Sequence, residues 1–405
     1  MKKERLMAHA RAVSLMLGRV PLIATENISL NCAEGRVLRE DIRSDRPLPP
    51  FNRSAMDGYA VKYSDLSAGR KIFKPVGMIE AGSNFLGKLQ KGEAIKIMTG
   101  APVPDGADMV VKVEHSKLSG KHVELIETKP ERWLNVHRHG SDTKKGAVVM
   151  KSGTELSPLN LSVAASVGAV KLKVSKKIKI LVVTTGNEII SPSASPKPSQ
   201  VRDSNASFLH ARFSSLNLVE ADFKGPIRDE PGLLEKTFRN GIEKYDMLIV
   251  TGGVSMGDSD FTHGLMERIG VSKVFHRLAI RPGKPVWFGA RGKKVVFGLP
   301  GNPVSVSATF HEFVLPAIRR MSGMERILPF SVRLPLAVDV NKKNGLKEFR
   351  VGNISADSTS VAPVKSYKGS GDFYSASFSD GLIVFPEESR LFKSGEVLEF
   401  HPWRF

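Results

Sequence analysis

The chain has 405 residues and a formal net charge of +19, from 60 basic and 41 acidic side chains. This length predicts two to four domains, and the absence of any run of about 18 apolar residues excludes a membrane-spanning helix and, by our expectation, a membrane partner. The single cysteine, Cys32, excludes internal disulfides and cysteine-rich metal sites, so we expect a cytoplasmic protein.

The N-terminal region is predicted to begin with an amphipathic helix, because apolar residues from Leu6 to Leu17 recur at helical spacing. Charged residues among them argue against a signal peptide. The proline-rich stretch 46–50 is expected to stop regular structure. Residues 51–140 then predict an all-β module with frequent turns, whose strands are GYAVKY, KIFKPVGMI, EAIKIM, MVVKVEH and HVELIE.

The pattern changes after Lys176, where IKILVVT (178–184) begins an alternation of apolar strands and helices. One helix is predicted to be capped by Asp203 or Ser204, and another is predicted to begin at Asn302-Pro303. Strands that are apolar throughout and alternate with helices imply a parallel sheet covered on both faces. Residues up to 328 are therefore predicted to form a doubly wound α/β domain. Short alternating strands return afterwards and predict a small β-barrel or sandwich.

The segments that follow the strands of this α/β domain carry the polar residues of a candidate site, because ligands of open parallel sheets bind beyond the carboxyl ends of the strands. Glycines and helix N-termini offer backbone N–H groups to an anion. Carboxylates beside a phosphate need a cation, and oxygen ligands suit Mg²⁺. The acidic residues expected at this rim are Glu188, Asp229, Asp258 and Asp260.

Three cations follow, in a segment predicted to begin as a strand, VFHRLAI. The strand repeat of two places Arg277 and Arg281 on the same face, and Lys284 in the turn after them. A guanidinium suits oxyanions. Two polar loops outside the α/β domain, 51–60 and 98–108, are dense in turn formers and are consistent with either structural turns or a functional role.

Seven motifs occur in a fixed order along the chain: SAMDGYA, MTGAPVPDGADMVVKVE, TTGNEI, DSN, TGGVSMGDSDF, RPGKP and GLPGNPVSV. In this order they resemble the molybdopterin molybdenumtransferase family, the molybdenum-insertion enzymes of molybdenum cofactor synthesis, which are similar to the E domain of gephyrin. The resemblance runs from about residue 5 to about residue 400 and covers essentially the whole chain.

The resemblance implies a four-domain subunit: a discontinuous domain I (1–50 and 140–175), a β-rich inserted domain II (51–139), an α/β molybdopterin-binding domain III (176–328) and a C-terminal β-barrel domain IV (329–405). It implies a homodimer with the site at the subunit interface. The implied reaction joins adenylylated molybdopterin to molybdate and gives molybdenum cofactor and AMP, with Mg²⁺ assisting. Transient contact with other proteins of the same biosynthesis is also implied.

The resemblance also implies roles for individual residues. The implied catalytic residues are Asp57, Thr99, Asp142, Glu188, Asp229 and Asp260, of which Glu188, Asp229 and Asp260 hold the metal. The implied substrate-binding residues are Thr185, Gly186, Gly252, Gly253, Ser255, Arg277, Arg281, Lys284, Pro300, Asn302, Arg350 and Ser370. Arg277 and Arg281 stand where the family pattern usually has lysines, which keeps the charge and changes the donor geometry.

Three alternatives stay open. The gephyrin similarity allows a scaffold role, although this chain shows no second enzymatic domain or long linker. The basic charge allows nucleic-acid binding, but the lysines are scattered and no basic stripe is interleaved with aromatics, which argues against it. Within the enzyme class, tungstate could replace molybdate, because the two oxyanions differ little in size and charge.

Overall fold

The computed structural model describes residues 6–83, 87–126, 129–252 and 261–403. Their helices are α1 (His9–Leu17), α2 (Tyr63–Ser67), α3 (Pro158–Ser166), α4 (Ser204–Ser214), α5 (Pro231–Lys244), α6 (Phe261–Arg268), α7 (Pro303–Thr309), α8 (Leu315–Ser322) and α9 (Phe373–Ala376). Single 3₁₀ turns occur at Leu30–Cys32 and Val113–His115, and one π-helical turn, Phe310–Val314, joins α7 to α8. Within the described ranges, none of these helices is long and apolar enough to span a bilayer.

The described strands are numbered in chain order. They are β1 (Thr25–Ser29), β2 (Ile42–Arg43), β3 (Arg53–Ser54), β4 (Gly58–Val61), β5 (Ile72–Ile79), β6 (Glu93–Ile97), β7 (Met109–Lys112), β8 (Ser116–Ser119), β9 (His122–Leu125), β10 (Val136–His137), β11 (Val148–Met150), β12 (Lys171–Ser175), β13 (Ile178–Thr185), β14 (Ile189–Ile190), β15 (Val201–Arg202), β16 (Val219–Ile227), β17 (Met247–Thr251), β18 (Ser272–His276), β19 (Ile280–Arg281), β20 (Trp287–Arg291), β21 (Lys294–Leu299), β22 (Val332–Pro335), β23 (Val340–Asn341), β24 (Lys347–Ile354), β25 (Val361–Pro363), β26 (Gly381–Phe385), β27 (Leu391–Phe392) and β28 (Val397–Pro402).

The chain divides into two compact units. The small unit comprises residues 41–151 and 159–170, and the large unit comprises residues 1–40, 152–158 and 171–405. The small unit is thus inserted into the sequence of the large one. The finer division into four domains stays a prediction.

The small unit is built on a six-stranded sheet in the order β7-β4-β6-β5-β9-β8. Along β4, Tyr59 and Val61 enter one apolar cluster and Ala60 enters another, so both faces of the sheet are covered. The β-rich prediction for this region is confirmed. The strand predicted over GYAVKY ends early at Val61, because Asp108 Oδ1 accepts the backbone N–H of Tyr63 at 2.7 Å and α2 begins there.

The large unit contains a six-stranded sheet in the order β16-β13-β17-β21-β20-β18, whose first four strands are parallel. Ile180 and Val182 of β13 pack into the cluster that includes residues of α4, α7 and α8. Leu181 and Val183 pack into the cluster that includes residues of α5 and α6. Helices therefore cover both faces, and the predicted doubly wound α/β fold is confirmed.

The sequence left two candidates for the cap of α4, and the structure decides between them. Asp203 is the N-cap, and its Oδ1 accepts the backbone N–H of Ala206 at 2.9 Å. We expect Asp203→Ala to lower the free energy of unfolding by about 1 kcal/mol and Ser204→Ala to change it by less than about 0.5 kcal/mol. Urea unfolding followed by circular dichroism measures both, and equal losses in the two variants would contradict this assignment.

The strand predicted over VFHRLAI is wrong, because the chain turns at Arg277. This residue has a left-handed φ of 64°, and β18 ends just before it at His276. Ile280 and Arg281 then form β19, which pairs in parallel with β24 of the C-terminal sheet. Arg277 and Arg281 therefore do not share one strand face.

The C-terminal sheet has the order β19-β24-β26-β28-β22, with β25 paired to β24. Its core contains Leu336, Val361, Phe385 and Phe400. Because β19 comes from the segment that follows the α/β sheet strand β18, Arg281 and Lys284 of that segment lie beside the C-terminal strands. This pairing forms one wall of the cleft described below.

The π-helical turn between α7 and α8 buries a charged residue. Glu312 is 4% exposed, and its carboxylate faces His311 and His401. Burial raises the pKa of Glu312, but hydrogen bonds from the histidines outweigh burial and hold this pKa well below its usual value. The carboxylate is therefore ionised inside the large unit.

Candidate functional site

The loops after β13 and β17 meet at the rim of the parallel sheet. Gly252 has a φ of 90°, and a Cβ built on it would lie 2.1 Å from the carbonyl oxygen of Thr185. A Cβ on Gly301 would lie 4.0 Å from the Cα of Gly252, so the loop after β21 reaches the same point. Three predicted rim segments are thus brought together, as the topology of a parallel sheet requires.

We expect Gly252→Ala to destabilise the protein by about 2 kcal/mol or more, because it adds both a backbone clash and a strained φ. Gly371→Ala is the matched control, since a Cβ there meets open space and its φ is unrestricted. The shift in the thermal unfolding midpoint measures both changes. A midpoint shift in Gly252→Ala no larger than in the control would contradict the close approach of the two loops.

Asn205, the last residue of the DSN motif, connects the same loops. Its role could not be predicted from the motif alone. Its side-chain amide donates to Thr251 Oγ1 at 3.0 Å and to the carbonyl oxygen of Gly301 at 2.8 Å. The Thr251 hydroxyl donates in turn to the carbonyl oxygen of Pro300 at 3.1 Å. Asn205 therefore fixes the spacing of the loops after β17 and β21.

Two predicted metal ligands, Glu188 and Asp229, lie on neighbouring loops. The backbone N–H of Asp229 donates to Asn187 Oδ1 at 3.2 Å. Burial raises the pKa of Asp229, and the nearby charge of Glu188 raises it further, against the effect of the Thr185 hydroxyl. A Cβ on Gly186 would lie 3.0 Å from Glu188 Oε2, so a glycine there leaves room for this carboxylate.

The donor set at this rim fits a hard cation. Among the described residues, Asp229 Oδ1 is buried and has no hydrogen-bond partner. An orphaned carboxylate oxygen beside a second carboxylate is the oxygen-only environment that Mg²⁺ prefers. Four residues of the predicted site, Gly253, Ser255, Asp258 and Asp260, lie outside the described residues.

A cleft of about 850 Å³ lies next to the rim, between the loops of the α/β sheet and the C-terminal strands. Its lining contains six of the predicted substrate-binding residues: Arg281, Lys284, Pro300, Asn302, Arg350 and Ser370. Three further lysines and two carboxylates complete its charged lining: Lys343, Lys365, Lys368, Asp339 and Glu348. Cations therefore outnumber carboxylates, and the cleft favours an anionic ligand.

One of the cleft arginines is held by a carboxylate. Arg350 contacts Glu348 Oε1 through Nε at 2.9 Å and through Nη2 at 2.8 Å. Burial, with the nearby charge of Glu348, raises the pKa of Tyr367 to about 12, so its hydroxyl stays protonated as a donor. Sequence reasoning missed Glu348 and Tyr367, because neither belongs to a recognised motif.

Two predicted residues bridge the walls of the cleft. The Asn302 amide donates to Ser370 Oγ at 2.9 Å, and the backbone N–H of Val304 donates to the carbonyl oxygen of Ser370 at 3.1 Å. These bonds connect the start of α7 to the loop before α9. Arg277 is not part of the cleft lining.

The small unit contains the remaining predicted catalytic residues. Asp57 Oδ1 accepts both the backbone N–H and the hydroxyl of Thr99, each at 2.7 Å. These hydrogen bonds lower the pKa of Asp57. Asp142 Oδ1 accepts the Ser141 hydroxyl at 3.0 Å. Asp57 and Thr99, which were predicted separately as catalytic residues, therefore form a hydrogen-bonded pair.

These features define a class of protein: a multidomain α/β enzyme with carboxylates at a strand-end rim and a cationic cleft beside it. The sequence matches the MoeA N-terminal region (domains I and II) over residues 7–168, a probable molybdopterin-binding domain over residues 181–320, and the MoeA C-terminal region (domain IV) over residues 333–403.

Individual relatives match nearly the whole chain. The chain is 32% identical to a molybdopterin molybdenumtransferase of Haemophilus influenzae over 97% of this chain and 98% of that protein, and 29% identical to one of Synechocystis over 97% and 99%. The structure of a molybdopterin biosynthesis moeA protein from Pyrococcus horikoshii is similar with a TM-score of 0.84 at 28% identity, covering 98% of this chain and 100% of that one. The chain belongs to the MoeA family and is an enzyme of molybdenum cofactor biosynthesis.

Proposed function

We propose that this enzyme joins adenylylated molybdopterin to molybdate and releases molybdenum cofactor and AMP. The observation that carries the proposal is the cationic cleft beside a rim of glycine turns and carboxylates. The Pro300–Asn302 segment belongs to both features, since it lines the cleft and receives hydrogen bonds from Asn205 and Thr251. A phosphate-containing substrate at the rim and an oxyanion in the cleft would lie side by side.

The rim binds the nucleotide part of the substrate. Backbone N–H groups after β13 and β17 face a phosphate, as is usual at such strand ends. Thr185 ends β13, and Gly186 and Gly252 begin the turns after β13 and β17. On the basis of the family resemblance, we also assign Gly253 and Ser255 to substrate binding and Asp260 to metal binding.

The cleft binds molybdate. Arg281 and Lys284 supply the charge, and Ser370, held by Asn302, supplies a hydroxyl. Arg350 completes the anion site with its remaining N–H donors, while Glu348 orients its guanidinium. The two dithiolene thiols of the pterin replace a molybdate oxygen, which leaves as water with their protons. A water molecule hydrolyses the pyrophosphate bond and releases AMP, so the chain needs no nucleophile of its own.

Glu188 and Asp229, together with Asp260, would hold Mg²⁺ in the proposed enzyme. When bound, the ion would neutralise phosphate charge and polarise a phosphoryl oxygen. The protein's own contribution is to keep two carboxylates close together on the loops after β13 and β16. Asn187 orients the loop of Asp229 by accepting its backbone N–H.

The family resemblance implies further features, which we also propose for this chain. We propose a cytoplasmic homodimer in which Asp57, Thr99 and Asp142 contribute to a site shared between subunits. Arg277 lies outside the cleft of its own chain, and we propose that it acts at the same shared site. Transient contact with other proteins of cofactor synthesis belongs to the same proposal.

The test is cofactor synthesis by the purified chain from adenylylated molybdopterin, with molybdate or tungstate as the only variable. We expect AMP release and active cofactor to depend on the oxyanion and on Mg²⁺. A preference for tungstate would identify tungstate as the inserted oxyanion and would still support the proposed class of reaction. AMP release that is independent of any oxyanion would refute the proposed insertion reaction.

A further inference from the structure

A cluster of three histidines and one glutamate lies inside the large unit, apart from the rim and the cleft. His311 and Glu312 belong to the π-helical turn Phe310–Val314, and His401 belongs to β28. These three residues are 4%, 4% and 7% exposed, respectively. The fourth member, His9, begins α1 and is half-buried. The cluster therefore joins segments that are far apart in the sequence.

The ligand atoms converge on one point. His401 Nδ1 lies 2.7 Å and His311 Nδ1 lies 3.2 Å from the same oxygen, Glu312 Oε1. In a tetrahedral zinc site with bonds of about 2.0–2.1 Å, neighbouring ligand atoms are roughly 3.3 Å apart. The His311 contact has this spacing, and the His401 contact needs only a small opening.

The surroundings supply the second layer of contacts that metal sites use. His401 Nε2 faces Glu399 Oε2 at 3.8 Å, which leaves Nδ1 directed inward. Lys347 Nζ lies 3.4 Å from His9 Nδ1, so the proton of His9 belongs on Nε2, which faces Glu312 Oε2 at 3.3 Å. Ligating histidines and carboxylates are generally oriented by such outer partners.

Charge balance favours a divalent cation. An ionised carboxylate in the interior is costly unless a counter-charge lies beside it. Within the described part of the chain, the groups that form ion-pair contacts with Glu312 are the three histidines. A divalent ion bound by His311, Glu312 and His401 would place such a counter-charge beside the buried carboxylate.

We propose that His311, Glu312 and His401 bind a transition-metal ion of the zinc class, with His9 and Glu399 as its outer partners. Two imidazole nitrogens and one carboxylate oxygen are a donor set that suits Zn²⁺. The site is closed to solvent, so the ion acts as a structural link between the π-helical turn and β28. This proposal goes beyond the cofactor-synthesis reaction, and neither depends on the other.

The experiment is a metal titration of the full-length chain after removal of metals with a chelator, in millimolar Mg²⁺ so that the oxygen sites are filled. We expect one equivalent of Zn²⁺ to bind, and Co²⁺ to give the visible absorption of a protein-bound ion with imidazole ligands. We also expect Zn²⁺ to raise the thermal unfolding midpoint, since ligand binding to the native state stabilises it.

Variants separate the proposed ligands from their surroundings. We expect His401→Gln to abolish stoichiometric binding, and Glu399→Gln to weaken Zn²⁺ affinity about 10- to 100-fold. His210→Gln, an exposed histidine on α4, is the matched control and should bind normally. If the wild-type chain binds no equivalent of either metal, or if His401→Gln binds as tightly as wild type, the cluster is a hydrogen-bonded network only and the proposal is overturned. The metal titration of the wild-type chain tests the proposal even if a variant fails to fold.

Discussion

The double variant Arg281→Met with Lys284→Met is expected to need about 10- to 100-fold more molybdate for half-maximal cofactor synthesis. Both cations line the cleft, and the described residues place no carboxylate in salt-bridge contact with either. A charge-assisted hydrogen bond contributes roughly 1.5–3 kcal/mol, and about 1.4 kcal/mol corresponds to a tenfold change in affinity. Methionine keeps the apolar stem of each side chain, so the change removes charge with little loss of packing.

The rate at saturating molybdate should change far less than the molybdate concentration needed for half-maximal synthesis. The reason is that the two cations bind the oxyanion both before and during the reaction. Steady-state kinetics with molybdate as the varied substrate measures both quantities. Lys236→Met, an exposed lysine on α5, is the matched control for loss of positive charge. An equal effect in that control would show that overall charge, and not the cleft, recruits the anion.

Arg281→Lys tests the departure of this chain from the usual family pattern. It keeps the charge and replaces the planar fork of the guanidinium with a single ammonium group. We expect the molybdate requirement to change by less than about tenfold, well below the effect of the methionine pair. A loss as large as that of the double variant would mean that guanidinium geometry, and not charge, determines binding.

The parallel sheet could be predicted because its signal is local. The stretch 178–184 is apolar at every position, and a strand with two covered faces needs this pattern. The helix start at Pro303 and the cap at Asp203 likewise depend on neighbouring residues alone. The rim loops followed from the sheet, since ligand-binding loops lie where parallel strands end.

The turn at Arg277 could not be predicted, because nothing in its side chain favours a left-handed conformation. It follows from contacts with distant segments: its N–H donates to the carbonyl oxygen of Val286, and its own carbonyl oxygen accepts from Met7. A prediction based on strand alternation cannot include such contacts. The expected pairing of Arg277 with Arg281 failed for this reason.

Neither the far wall of the cleft nor the buried histidine cluster could be predicted, because each joins segments that are distant in the sequence. Glu348 and Arg350 are two residues apart on β24, yet their role depends on β19 joining that strand from about 70 residues earlier in the chain. His9 and His401 lie near opposite ends of the sequence. The family resemblance named Arg350 and Ser370, whereas only tertiary structure brings Glu348, Tyr367 and the histidines to their positions.

Asp229→Asn is expected to reduce Mg²⁺-dependent cofactor synthesis at least about hundredfold, since metal-assisted stabilisation of phosphoryl charge contributes several kcal/mol. The same variant is expected to be more stable than wild type at neutral pH. Burial, with the charge of Glu188, raises the pKa of Asp229 above its ordinary value of 3.8. The folded protein therefore holds this proton more tightly than the unfolded chain does, and ionisation of Asp229 opposes folding.

The sign of the pH dependence follows from this difference. The stabilising effect of the bound proton is fully present below the unfolded pKa of 3.8 and is lost as the pH rises through the higher folded value. Asparagine cannot ionise, so the unfolding midpoint of the variant in a chelator should exceed that of wild type at pH 7, and the gap should shrink towards pH 4. Glu230→Gln, at the adjacent exposed position, should show neither effect. Higher stability together with lost activity would identify Asp229 as a residue retained for metal binding at a cost to the fold, whereas a variant that is less stable at pH 7 would make it a structural residue.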